Sequence, residues 1–109
     1  MVLIYPTAYT GSITVSASQT VYVNLGFRPR YLCMTSESPG GLGGCTIYNA
    51  DISTTKAIYT NGDSNAIYYN LPASDSENYR IKSIDSTGFT VNRFPNTAWG
   101  ANARYFAMK

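Results

Sequence analysis

Along most of the chain, apolar and polar residues alternate with a period of two. Ile13 and Val15 fall on one side of the run 12–16. Val21, Val23 and Leu25 fall on one side of the next run, with Tyr22 and Asn24 on the other. Successive side chains of an extended chain point to opposite faces, so this pattern predicts half-buried β-strands. The run 31–36 is denser, with Tyr31-Leu-Cys-Met34 in a row, and predicts a central strand. Further strands are expected over 45–48, 56–60, 66–70, 79–84, 89–93 and 103–108. No stretch carries the three-to-four spacing of an amphipathic helix.

Turn chemistry separates these runs. Gly40-Gly-Leu-Gly-Gly44 is a flexible connection. Asn61-Gly-Asp-Ser-Asn65 joins Ala57-Ile-Tyr59 to Ala66-Ile-Tyr68 and predicts a hairpin, because Asn and Gly accept positive φ at low cost. Asp85-Ser-Thr-Gly88 predicts a second one. Pro72 and Pro95 fall outside the strands, where a missing N–H donor does no harm. Many short strands with frequent turns imply one all-β domain, a sandwich or barrel, and the expected fold is a small antiparallel β-sandwich of jelly-roll type or similar. It is expected to span residues 12–109, with 1–11 as an N-terminal arm.

A length of 109 residues fits a single domain with one real core. Only 13% of the residues are charged, and Ser, Thr, Asn and Tyr supply the remaining polarity. The net charge is +2, and the basic residues are scattered. No cluster neutralises a row of phosphates, so nucleic acid is not an expected partner. No polybasic segment addresses an anionic membrane. The apolar start, Met1–Tyr5, is too short for a signal or a membrane span, so neither secretion nor membrane insertion is expected.

Candidate chemistry is sparse. The sequence has no histidine, which removes the commonest general base and metal ligand. Cys33 and Cys45 are too few for a zinc site or a disulfide scaffold. A buried free thiol is the expected state of Cys33, with a Cys33–Cys45 bridge as the alternative. The six carboxylates all fall in or beside expected loops. The chain is therefore read as a non-enzyme without cofactor or metal.

Contact residues are easier to nominate. The polar loops offer Asn61, Asp63 and Asn65, then Asn96, Trp99 and Asn102, as ligand or partner contacts. Trp99 either stacks on a sugar or partner or caps the core. Tyr68 and Tyr69 point to opposite faces, so at most one belongs to the core, and Tyr69 is the candidate contact. Arg28 and Arg30 flank Pro29 at a corner and are candidate subunit contacts.

Three segments carry a resemblance: Val21-Tyr-Val-Asn-Leu-Gly-Phe-Arg-Pro-Arg-Tyr-Leu32, Ile84-Asp-Ser-Thr-Gly-Phe-Thr-Val91 and the ending Ala103-Arg-Tyr-Phe-Ala-Met-Lys109. Their order resembles small β-sandwich domains of tailed-bacteriophage virions, found in tail appendages and other structural proteins. More distantly it resembles the H-type lectin domain, a six-stranded antiparallel sandwich that forms trimers or hexamers and binds sugars such as N-acetylgalactosamine. The resemblance implies a virion protein assembled in the host cytoplasm, a homo-oligomer with a trimer favoured, and contact with other virion proteins. It leaves three roles in competition: attachment to a host glycan, capsid decoration without a ligand, and a free-standing lectin. Gly26-Phe27 and Gly88-Phe89 are its physical signature. Each glycine permits a tight approach, and each Phe can plug the core.

Overall fold

The computed structural model describes residues 8–37, 44–61, 66–95 and 101–109. Among these the alternating runs form nine strands and no helix. They are β1 (Ala8–Val15), β2 (Val21–Asn24), β3 (Tyr31–Glu37), β4 (Gly44–Asn49), β5 (Lys56–Asn61), β6 (Ala66–Asn70), β7 (Ile81–Ile84), β8 (Gly88–Val91) and β9 (Ala101–Met108). One sheet has six strands in the order β1-β9-β3-β4-β5-β6, and the other has three in the order β2-β8-β7. Every pairing is antiparallel. The chain is a small β-sandwich, and β3 is central as its dense apolar run predicts. The division into six and three exceeds the six strands of an H-type lectin and the eight of a jelly roll.

The core lies where the alternation puts it. The larger sheet contributes Ile13, Val15, Leu32, Met34, Tyr48, Ala57, Tyr59, Tyr69, Ala103 and Ala107, and the smaller one Ile81, Phe89 and Val91. Both Gly-Phe steps send their ring inward. Phe27 is buried with its centroid 4.8 Å from that of Tyr9, and Phe89 is wholly buried edge-on to Tyr105 at 5.4 Å.

Three strands do not cover six. The irregular segment 71–80 closes the remaining inner face. It is anchored through Asn92, whose buried side-chain amide donates to the carbonyls of Ser74 (3.0 Å) and Glu77 (2.9 Å). Tyr69 Oη donates to the Ile81 carbonyl at 2.7 Å. The Arg80 guanidinium lies over the rings of Tyr59 (4.1 Å) and Tyr69 (5.2 Å).

Several expected boundaries move. β1 begins at Ala8, so residues 8–11 belong to the sheet and not to an arm; they pair with Met108 through Tyr105 of β9. β7 begins at Ile81 and not at 79, because Tyr79 has φ +67° and leaves extended geometry. β8 stops at Val91; beyond it Asn92 N still donates to the Arg80 carbonyl at 2.9 Å, while its side chain holds the 74–77 segment. β9 gains Ala101 and Asn102 by pairing with β1 on one side, where Asn102 also pairs with Glu37 of β3 on the other.

Candidate functional site

The register of the larger sheet aligns apolar residues on its outer face. Phe106 pairs with Cys33, Cys33 with Ile47, Ile47 with Ile58, and Ile58 with Tyr68. One continuous apolar row therefore crosses five of the six strands on the side away from the core. Phe106 is 41% exposed, Ile47 44% and Tyr68 58%; Cys33 and Ile58 are half-buried. Isolated surface apolar residues are ordinary, but a contiguous row is not.

The rim of the row is mostly polar, interrupted by Cys45, Ala66 and Met108. Along one side run Ser12, Arg104, Thr35, Cys45, Thr60 and Ala66. On the other side lie Tyr31 paired with Asn49, and Lys56 paired with Asn70. An apolar centre without charge inside a mostly polar rim is the anatomy of a protein contact surface.

A turn after β4 extends the patch. Asn49 accepts at its carbonyl from Ile52 N and Ser53 N, both at 3.0 Å, and at Oδ1 from Asp51 N at 2.9 Å. These bonds fix the turn and hold Ile52 out, 69% exposed, beside Ile47, Ile58 and Tyr68. The four side chains line an open hollow of about 80 Å³ together with Asn49, Ser53, Lys56 and Ala57. Asp51 fastens the other side of this turn. It accepts from Arg30 Nε at 3.0 Å and Nη2 at 2.8 Å, and from Tyr31 Oη. Hydrogen bonds from Tyr31 and Arg30 hold the Asp51 carboxyl below the usual carboxylate range, while the same carboxylate raises the Tyr31 phenol and the Arg30 guanidinium.

Cys33 and Cys45 meet on this face, Sγ to Sγ at 3.6 Å, as free thiols that are half-buried and not fully buried. Burial, then the bond to Cys33, pushes the Cys45 thiol up to about 11. Among the described residues no three His, Cys, Asp or Glu side chains gather as a metal cluster.

The contact residues nominated from sequence fare unevenly. Tyr69 is corrected: it is 4% exposed in the core, and its neighbour Tyr68 carries the outward ring. Arg28 and Arg30 are exposed on either side of a buried Pro29, as expected, and Arg30 is engaged with Asp51. Asn102 is exposed near the start of β9. Asn61 ends β5, opposite Gly44. Asp63, Asn65, Asn96 and Trp99 lie outside the described residues. The strand ends next to them, at Asn61, Ala66 and Ala101, share one end of the larger sheet with Glu37 and Gly44.

Sequence reading misses Ile47, Ile52, Ile58, Tyr68 and Phe106 as a group. The available signal is that β3 to β6 carry apolar residues on both faces where a one-sided strand carries them on one. No family model, curated protein or solved structure matches this chain.

Proposed function

We propose that this chain is a structural contact module of a tailed-bacteriophage virion, packing its six-stranded outer face against copies of itself. The observation that carries the self-association is the row Phe106–Cys33–Ile47–Ile58–Tyr68 with Ile52 beside it. Six strands at about 4.8 Å spacing and about 20 Å long offer roughly 600 Å² per copy, so two faces together reach the lower range of specific interfaces. The low charge of the chain agrees with a surface occupied by contacts. The virion setting is supported by the resemblance of the three segments, as is the preference for a trimer. Neighbouring virion proteins are the further partners of this reading.

Light scattering on the purified chain tests it. A stable oligomer at micromolar concentration is expected, with Ile47→Lys shifting the population towards monomer. A monomeric wild-type chain at that concentration removes the reading.

Attachment to a host glycan is a second reading. It is favoured by the shared sheet end from which the segments holding Asn61, Asp63 and Asn65 and holding Asn96 and Trp99 depart. A glycan array distinguishes this role from capsid decoration, since a decoration protein leaves the array blank. Binding that is lost in Trp99→Ala at unchanged stability locates the sugar at that end.

A further inference from the structure

We propose that Cys33 and Cys45 form a reversible internal disulfide by exchange with a small disulfide of the oxidised-glutathione class. The register pairs Cys33 with Ile47 and Thr35 with Cys45, which sets the thiols diagonally on one face of adjacent strands. Their sulfurs already touch at 3.6 Å. A disulfide needs about 2.05 Å, and a diagonal pair reaches it by rotation of both side chains together with a local shift of the two strands.

The two thiols differ in access. Cys33 lines an open groove of about 460 Å³ together with Thr10, Ser12, Thr35, Arg104 and Phe106. Cys45 is not among the groove's lining residues. Burial is the largest cause that raises the Cys45 thiol, to about 11, so it ionises less readily than an ordinary thiol. Cys33 is therefore the first nucleophile and Cys45 the resolving thiol.

In the first step Cys33 gives up its proton and its sulfur attacks one sulfur of oxidised glutathione. The reagent's S–S bond breaks, and one glutathione leaves and takes up a proton. Cys45 then gives up its proton and attacks the Cys33 sulfur of the mixed disulfide, expelling the second glutathione. Two protein thiols are oxidised by two electrons, and one disulfide is reduced to two thiols.

The bond would close a ring around Gly40-Gly-Leu-Gly-Gly44, the segment with the most conformational freedom in the unfolded chain. Restricting that freedom stabilises the folded state. Cys33 also belongs to the row proposed for self-association, so the exchange is a reaction of the unassembled chain and competes with assembly for the same face.

The reduced chain is treated with excess oxidised glutathione at mildly alkaline pH, quenched by alkylation under denaturing conditions and weighed intact. The expected product is lighter by about 2 Da, resists alkylation and returns to the dithiol with dithiothreitol. Its thermal midpoint rises by at least about 5 °C. Cys45→Ser is expected to keep one glutathione on Cys33, and Cys33→Ser to react at least about tenfold more slowly. A wild-type chain that carries two glutathiones, or that remains fully open to alkylation, overturns the proposal. The reaction is run dilute enough that light scattering finds only monomer, so either failure is independent of self-association.

Discussion

Gly88 approaches Val23 so closely that the position admits no side chain. A Cβ at 88 would overlap the Val23 carbonyl oxygen and lie 3.2 Å from Leu25 N. Gly88 pairs with Asn24 at the start of β8, so the backbone it meets belongs to its own ladder and does not yield cheaply. Gly88→Ala is expected to cost about 3 kcal/mol by forced separation of β2 and β8. Gly26 is a contrast. Its φ is +81°, but nothing lies within 4 Å of the place a methyl group would take. Gly26→Ala carries only the left-handed strain, about 1–2 kcal/mol. Urea unfolding of the two variants checks the order.

Arg80 holds the wide end of the sandwich. Its side chain is 14% exposed, lies 4.1 Å from the Tyr59 ring centre, and pairs with Glu77 at 3.6 Å. A desolvated cation over an aromatic ring stabilises by about 2 kcal/mol. Arg80→Met retains the apolar stem and loses this, so a loss of about 2 kcal/mol is expected. Arg80→Lys keeps the charge but not the flat guanidinium, and a loss of about 1 kcal/mol is expected. Equal stability of the lysine variant and wild type in chemical denaturation rejects a role for planar stacking.

Asp85 shows how a short turn depends on one carboxylate. Its Oδ1 accepts from Thr87 N at 2.8 Å and Gly88 N at 2.9 Å, and from Tyr22 Oη at 3.2 Å. The hydrogen bond from Thr87 N is the chief cause that holds this carboxyl below its ordinary range. A carboxyl depressed by folding adds stability above its unfolded pKa and loses it as pH falls through the folded value. Stability is therefore expected to decline below about pH 4. Asp85→Asn removes that part of the decline, which a comparison of acid unfolding curves reads directly.

This hairpin is also where the sequence is most legible. Asp-Ser-Thr-Gly between two alternating runs states both the turn and the pairing, because the bonds from Thr87 N and Gly88 N to Asp85 that shape the turn are local. The same holds for the strands on either side of Asn61-Gly-Asp-Ser-Asn65, which pair Thr60 with Ala66 as expected. The apolar row is different. Consecutive strands align Cys33, Ile47, Ile58 and Tyr68, but Phe106 joins the row only because β9 inserts between β1 and β3. That neighbour relation joins residues far apart in the chain, and no local pattern encodes it. Asn92 is hidden for a related reason: between Val91 and Arg93 it continues an alternating strand, and only its two carbonyl partners at 74 and 77 explain its buried amide.

Alkaline pH is expected to loosen the fold. Burial is the largest cause that raises the Tyr69 and Tyr59 phenols and the Cys45 thiol above their ordinary values. The unfolded chain releases these protons first, so stability is complete below the unfolded pKa values and is lost as pH rises towards the folded ones. The denaturant midpoint should fall from about pH 9 upward, beginning with the thiol. Tyr69→Phe should make the fall shallower above about pH 10. An unchanged slope in that variant shows that Tyr69 does not contribute to alkaline unfolding.

Tyr68 and Tyr69 are neighbours in sequence with opposed environments, and substituting them separates folding from assembly. Tyr69 is 4% exposed and its hydroxyl donates to the Ile81 carbonyl at 2.7 Å, joining β6 to β7 in the other sheet. Tyr69→Phe leaves that carbonyl without its donor and should cost about 1 kcal/mol. Tyr68 is 58% exposed at the end of the apolar row, opposite Ile58. Tyr68→Ser removes no core contact, so the stability of the single chain should change by less than about 0.5 kcal/mol. Its effect should fall on the oligomer, where truncating an aromatic anchor weakens association by about 2 kcal/mol. Denaturation at low concentration and light scattering at high concentration measure the two quantities separately. If Tyr68→Ser leaves the oligomer intact, the contact surface does not reach β6.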